Sequence, residues 1–244
     1  MSVTGEHALP AEAVRAAVET GQERLRALLP GLSDDGVREP SELPGWSRAQ
    51  VLSHLEGVAL ALARQARYAL RGELIVPYDG GRPARAAAIE AGAVRDAAAL
   101  GHAVRAALAE ASAAWAAVGP ADWSRPVKYR DGELRAALLS WWRELEIHTA
   151  DARIGHGPRD WPRELCHHLL EYLAPRAPKD LHLVLTAPGD AFARHYGADG
   201  APVVTVSGPL TDLAAWLAGR TPHRPLGCRR SGSAAPLPEL LGWP

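Results

Sequence analysis

Residues 133–154 read ELRAALLSWWRELEIHTADARI. Good helix formers dominate the run and its apolar residues fall on a stripe, which predicts a helix with one buried face. Gly155-His156-Gly157-Pro158 breaks it. Within it Glu144 and His148 stand four apart, so both side chains project from one face and can grip a single ion. Glu146 is rotated about 200° from Glu144 and points away, into solvent or toward an arginine. Taken alone, an acid and a histidine at this spacing also describe an ordinary solvated pair.

Three more helical segments precede this one. Between Pro10 and Leu29, Val14, Val18, Leu25 and Leu28 or Leu29 recur closer to a 3.6-residue period than to alternation. Pro44-Gly45-Trp46 makes a turn, and Ser47 with Gln50 three residues later forms a capping box that opens a helix running to about Arg71, where Gly72 stops it. Residues 83–118 are alanine-rich and helical, with an interruption around Gly92 or Gly101, and Gly119-Pro120 closes them. Residues 121–131 connect as a loop or short irregular hairpin. Beyond Pro158 the pattern changes. A helix over 162–173 is followed by strand-like runs at 181–186, 191–196 and 203–207, then by a helix from Pro209 to Gly219. The proline-rich end, 221–244, reads as irregular chain on the surface. The expected fold class is α+β, a four-helix bundle over residues 1–158 followed by a small α/β domain over 159–244.

The chain has 244 residues and a formal net charge of -1, from 27 basic and 28 acidic side chains. That balance lacks the one-signed field of a nucleic-acid or acidic-membrane binder and favours a small-molecule partner. Residues 1–6 carry no basic and apolar leader pattern, and no later run approaches the roughly 20 apolar residues of a membrane span, so the expected location is the cytoplasm. Cys166 and Cys228 are the two cysteines, too far apart in sequence for a CxxC motif. A metal site must then be built from histidine and carboxylate.

His54, in the capped helix among Leu52, Leu55 and Val58, is the candidate third ligand. Two histidines and a carboxylate drawn from two bundle helices leave a coordination position open, as catalytic sites require. The other reading of His54 is a hydrogen-bonded core histidine. Cys166, His167 and His168 are adjacent on a helix and diverge, so they are assigned to core and surface. His182 and His195 fall in strands and carry no assigned chemistry, and Trp115, Trp141 and Trp142 read as core.

Taken together, these motifs resemble the mycothiol-dependent maleylpyruvate isomerase family, whose N-terminal half is a DinB-like metal-binding four-helix bundle. Leu43-Pro44-Gly45-Trp46-Ser47-Arg48 with Val51-Leu52-Ser53-His54-Leu55 is similar to the family's first metal motif, and Arg143-Glu144-Leu145-Glu146-Ile147-His148 with Asp151 to its second. Tyr78-Asp79-Gly80-Gly81-Arg82 and the segment from Arg85 to Gly92 resemble a stretch contributing to the active site. Trp216-Leu217-Ala218-Gly219-Arg220 resembles the C-terminal domain's arginine motif. The resemblance departs at Val58, where close relatives have Asn; this position shares the helical face of His54.

The resemblance implies a divalent metal, zinc, held by His54, Glu144 and His148, together with mycothiol as thiol cofactor. Asp151 would orient a ligand imidazole. Thiolate addition to the cis double bond of maleylpyruvate, rotation and elimination would give the trans product, with Arg85 and Arg220 binding carboxylates and the developing enolate. The closest rival is a mycothiol S-transferase, in which the adduct leaves. A reading of another class is a non-catalytic metal or small-molecule binding protein, against which stands the three-ligand set, since structural zinc sites usually take four protein ligands. Partners would be the electrophile and the thiol, with no nucleic acid or membrane, in a monomer or small homo-oligomer.

Overall fold

The computed structural model describes residues 9–198 and 200–244. The stretch 1–6, considered above for a leader, lies outside the described residues. The chain forms two compact units, Met1–Gly155 and His156–Pro244.

The first unit is helical: α1 (Ala11–Leu28), α2 (Asp34–Arg38), α3 (Arg48–Leu70), α4 (Gly81–Ala93), α5 (Ala97–Ala116) and α6 (Leu134–Asp151). The capping box is present at the start of α3, where Ser47 Oγ accepts from the Gln50 amide and Gln50 Oε1 accepts from the Ser47 amide. Gly72, at φ +76°, follows its last turn. Helices α1, α3, α5 and α6 make the bundle, with α3 packed on α5 and α6, and α1 on α6. Their apolar stripes meet in a core that fully buries Leu25, Leu52, Leu55, Leu62, Leu100, Leu108, Trp141, Trp142 and Leu145. Burial of each such side chain is worth about 1.5–3 kcal/mol, so this core holds the helices against their entropy.

Two expectations are corrected. The alanine-rich stretch 83–118 is two helices; the break falls at residues 94–96 rather than at Gly92 or Gly101, because Asp96 accepts from the Ala99 amide and caps a new helix. Helix α6 ends at Asp151, where Arg153 turns left-handed at φ 55°, ahead of the glycines at 155 and 157. Of the two alternatives for Glu146, the arginine holds: it is 1% exposed, and Arg24 Nη1 of α1 donates to both its carboxylate oxygens, at 3.0 and 2.8 Å. Gly21 makes room for it. A Cβ there would stand 2.7 Å from Glu146 Oε1 and 2.9 Å from Leu145 Cδ2, so only glycine lets α1 and α6 approach this closely.

The second unit carries α7 (Arg163–Tyr172), α8 (Leu210–Leu217) and a mixed five-stranded sheet of β1 (His182–Ala187), β2 (Phe192–Tyr196), β3 (Val203–Ser207), β4 (Gly227–Arg230) and β5 (Ser233–Ala234), in the order β2-β1-β3-β4-β5. Strands β1 and β3 are parallel and the other pairs antiparallel. The crossover from β3 runs through α8 and back antiparallel into β4. Residues 221–244 are therefore not wholly irregular: Ser231 and Gly232, both at positive φ, form the two-residue turn that joins β4 to β5. Among the described residues no helix is long and apolar enough to cross a membrane.

Candidate metal centre

His54 sits in the middle of α3 with its ring 3% exposed, while Glu144 and His148 lie one turn apart on α6. Packing of α3 on α6 brings the three together. Glu144 Oε2 lies 3.0 Å from His54 Nε2 and 3.3 Å from His148 Nε2, and the two imidazole rings are 4.6 Å apart, edge to face. One donor atom from each residue falls within 4.8 Å of the others, and no other such group of three occurs among the described residues.

A surrounding layer orients the rings. Asp151, completely buried, has Oδ2 2.8 Å from His148 Nδ1. With that nitrogen donating to Asp151, Nε2 is the nitrogen turned toward Glu144, and once its own proton is lost it is the one left to bind a metal. His54 is held differently: Arg85 Nη2 donates to its Nδ1 at 2.9 Å, so the neutral ring offers its Nε2 proton to Glu144. Trp46 packs against the same ring at 5.9 Å.

Charges follow from this packing. Burial disfavours a charged Glu144, yet hydrogen bonds from His148 and His54 outweigh it and hold the carboxyl well below its usual range. Burial also opposes protonation of His148, but its bonds to Asp151 and Glu144 prevail and push it up to about 9. For His54 burial dominates; the bond to Glu144 works the other way, and His148 and Arg85 add repulsion, so its pKa is lowered. The three donors together carry one carboxylate charge and two imidazole nitrogens, a set suited to a borderline-soft divalent cation such as zinc. A cation among them takes the place of the protons the carboxylate now attracts. Three protein donors leave a position for an exogenous ligand.

Beside His54 opens a cavity of about 440 Å³ lined by α3, α4, the loop through Tyr78 and Asp79, and Glu110 of α5. Arg85 lies in its wall, half-buried, with its guanidinium 5.9 Å from the Tyr78 ring. Val58 is buried in the core and does not line it. Trp46, Tyr78 and Asp79 were named only within their motifs, with no role of their own, and Arg64 in the cavity wall was missed.

The remaining residues singled out earlier are spread over the second unit. Arg220 follows the end of α8, its Nη1 bonded to Ala218 O at 2.7 Å and its guanidinium over Trp243 at 5.7 Å. Cys166 is buried, His167 packs on Phe192 and His168 stacks on Tyr172. His182 Nε2 and His195 Nδ1 meet at 3.0 Å on an exposed sheet face.

With the geometry in place, likeness to known proteins is informative. Residues 18–153 match the model of the mycothiol maleylpyruvate isomerase N-terminal domain, and residues 160–239 match that of the MDMPI C-terminal domain. The crystal structure of the mycothiol-dependent maleylpyruvate isomerase has the same fold, with a TM-score of 0.83 over 97% of this chain and 98% of that one at 24% identity. That of a histidine-to-alanine mutant of the mycothiol-dependent maleylpyruvate isomerase gives 0.82 at the same identity and coverage. No curated protein matches significantly. The two domain matches, taken in order along nearly the whole chain, place it in the mycothiol-dependent maleylpyruvate isomerase family.

Proposed function

We propose that the chain is a zinc- and mycothiol-dependent isomerase that converts a maleylpyruvate-like cis double bond to trans. The observation that carries this reading is the convergence of His54, Glu144 and His148, two histidines and one carboxylate with a position left open, in a member of this family. When bound, the cation and the thiol together supply a sulfur nucleophile near neutral pH, because a coordinated thiol loses its proton.

The chain's own residues do the rest. Asp151 keeps the His148 proton on Nδ1 and so keeps Nε2 available as a ligand. Arg85, in the cavity wall next to His54, offers a two-pronged partner for a substrate carboxylate and for the enolate that grows on addition. Arg220, from the family's C-terminal motif, is proposed as the second carboxylate partner. The substrate's double bond becomes single on addition, rotates, and is restored trans on elimination, so no thiol is consumed. The chain is proposed to work in the cytoplasm as a monomer or small homo-oligomer, on small molecules alone.

The test is the ultraviolet change of maleylpyruvate with purified, metal-replete protein, with and without mycothiol. Thiol-dependent formation of the trans product is expected. Arg220→Lys keeps the charge and loses the planar fork, so it should retain metal and melting temperature while turnover drops by about 2–4 kcal/mol in the barrier, roughly thirtyfold to a thousandfold. Unchanged turnover reduces Arg220 to a structural or surface charge. A stable thioether in place of the trans product moves the chain to the S-transferases.

A further inference from the structure

The cavity beside His54 extends away from the metal centre along one stripe of α3. His54, Gly57, Ala61 and Arg64 succeed each other on it at helical spacing. Ten residues separate His54 from Arg64, about 15 Å along the helix axis. That is longer than a cysteine side chain, and longer than the seven-carbon chain of maleylpyruvate, requires. The near end holds His54 and Arg85, and the middle is apolar, with Leu60, Ala88 and Ile89.

The far end differs in kind. Arg64 gives a two-pronged bond to Asp79 at 2.8 and 2.9 Å, and Arg67 pairs with Glu110 at 2.5 Å. Each arginine there already faces a carboxylate, so a dianionic electrophile gains no unspent cation. Both pairs are accessible, with the Asp79 side chain 78% exposed. Exposed pairs of this kind add little to stability. What they present is donors and acceptors side by side at no net charge: guanidinium N–H groups beyond those in use, and carboxylate lone pairs still unfilled. That pattern matches neutral vicinal hydroxyl groups, each of which donates and accepts.

We propose that this groove binds the hydroxyl-rich body of the thiol, its sulfur at the His54, Glu144 and His148 end and its sugar-like rings running along α3 to the Arg64–Asp79 and Arg67–Glu110 pairs. The assignment rests on the thiol dependence proposed above. It leaves Arg85, at the near end, for the carboxylate of the electrophile.

Calorimetric binding to metal-replete protein tests it with three probes: mycothiol, N-acetylcysteine, which has the sulfur without the rings, and glucosaminylinositol, which has the rings without the sulfur. Wild type should prefer mycothiol over N-acetylcysteine, and glucosaminylinositol should displace mycothiol but not N-acetylcysteine. Asp79→Ala and Arg64→Ala should each narrow the preference for mycothiol about tenfold, the loss of one charge-assisted contact. Both positions are on the surface, and unchanged melting temperatures verify the fold. Variants that keep the full preference, or rings that fail to compete, overturn the groove assignment. If turnover is thiol-dependent while those variants bind as wild type, the groove fails and the proposed function stands. If the rings compete and the variants lose preference while no product forms, the groove stands and the proposed function fails.

Discussion

Glu144 and Glu146 are two residues apart on α6 and lead opposite lives on its two faces. Glu146 is sealed against α1, its charge met by Arg24 through two hydrogen bonds. Glu144 faces α3, its side chain 29% exposed and bordered by two imidazoles. A carboxylate answered by a guanidinium and also sealed from solvent, as Glu146 is, is closed to further partners and serves packing. One answered by histidines is different, because neutral imidazoles add lone pairs where a guanidinium would add only donors. The partner, more than the acid, separates a structural charge from a ligand.

This contrast can be broken by experiment. The largest effect is expected from His54→Ala, Glu144→Ala and His148→Ala, each of which should reduce metal content from about one per chain to a small fraction while the bundle stays folded, since three donors are the minimum for tight binding. Full occupancy in all three variants would falsify the site. Next comes Glu146→Ala, which should keep its metal yet lose about 3 kcal/mol of stability, as Arg24 is left facing a partly buried gap. At this chain length that lowers the melting temperature by roughly 6–12 °C. A variant that lost metal and kept its stability would reverse the two faces.

Smaller changes sharpen the contrast. Asp151→Asn should weaken metal affinity about tenfold to a hundredfold by loosening the His148 ring; unchanged affinity would make Asp151 a packing residue. With His148 pushed up to about 9, the imidazole is protonated at pH 7.5 in protein stripped of its metal. Glu144 is already ionised there, and His54, whose pKa is lowered, is already neutral. Metal uptake at pH 7.5 should therefore release about one proton, and affinity should rise with pH until about pH 9 and then level. Titration calorimetry in buffers of different ionisation enthalpy counts that proton, and a count of zero contradicts the charge assigned to His148.

Much of this was legible in the chain because the signals are local. Ser47 and Gln50 announce α3 within four residues, and the spacing of Glu144 and His148 fixes their common face whatever else the protein does. Asp96 was an equally local cap, overshadowed by the glycines at 92 and 101, both of which sit comfortably in helices. The β4–β5 hairpin was hidden by its brevity and its arginines; Ser231-Gly232 is a turn signal, but Gly227–Arg230 offers only one buried side chain, Cys228, to mark a strand. Two features had no local signal at all. Arg24 is 122 residues from Glu146, and the groove draws its walls from α3, α4 and α5, so neither exists until the bundle has packed.

Gly21 has a bearing on how this protein can diverge. A glycine inside a helix costs about 1 kcal/mol relative to alanine, and α1 keeps one because the carboxylate of Glu146 lies where its side chain would be. Positions 21, 24 and 146 thus form a small inheritance unit: a methyl at 21 demands a shorter acid at 146, and a shorter acid no longer reaches Arg24. Single replacements in the set are each harmful, whereas a joint exchange to small apolar residues can be nearly neutral. Descendants should hold all three or exchange all three, while the ligand face of the same helix drifts under an unrelated constraint.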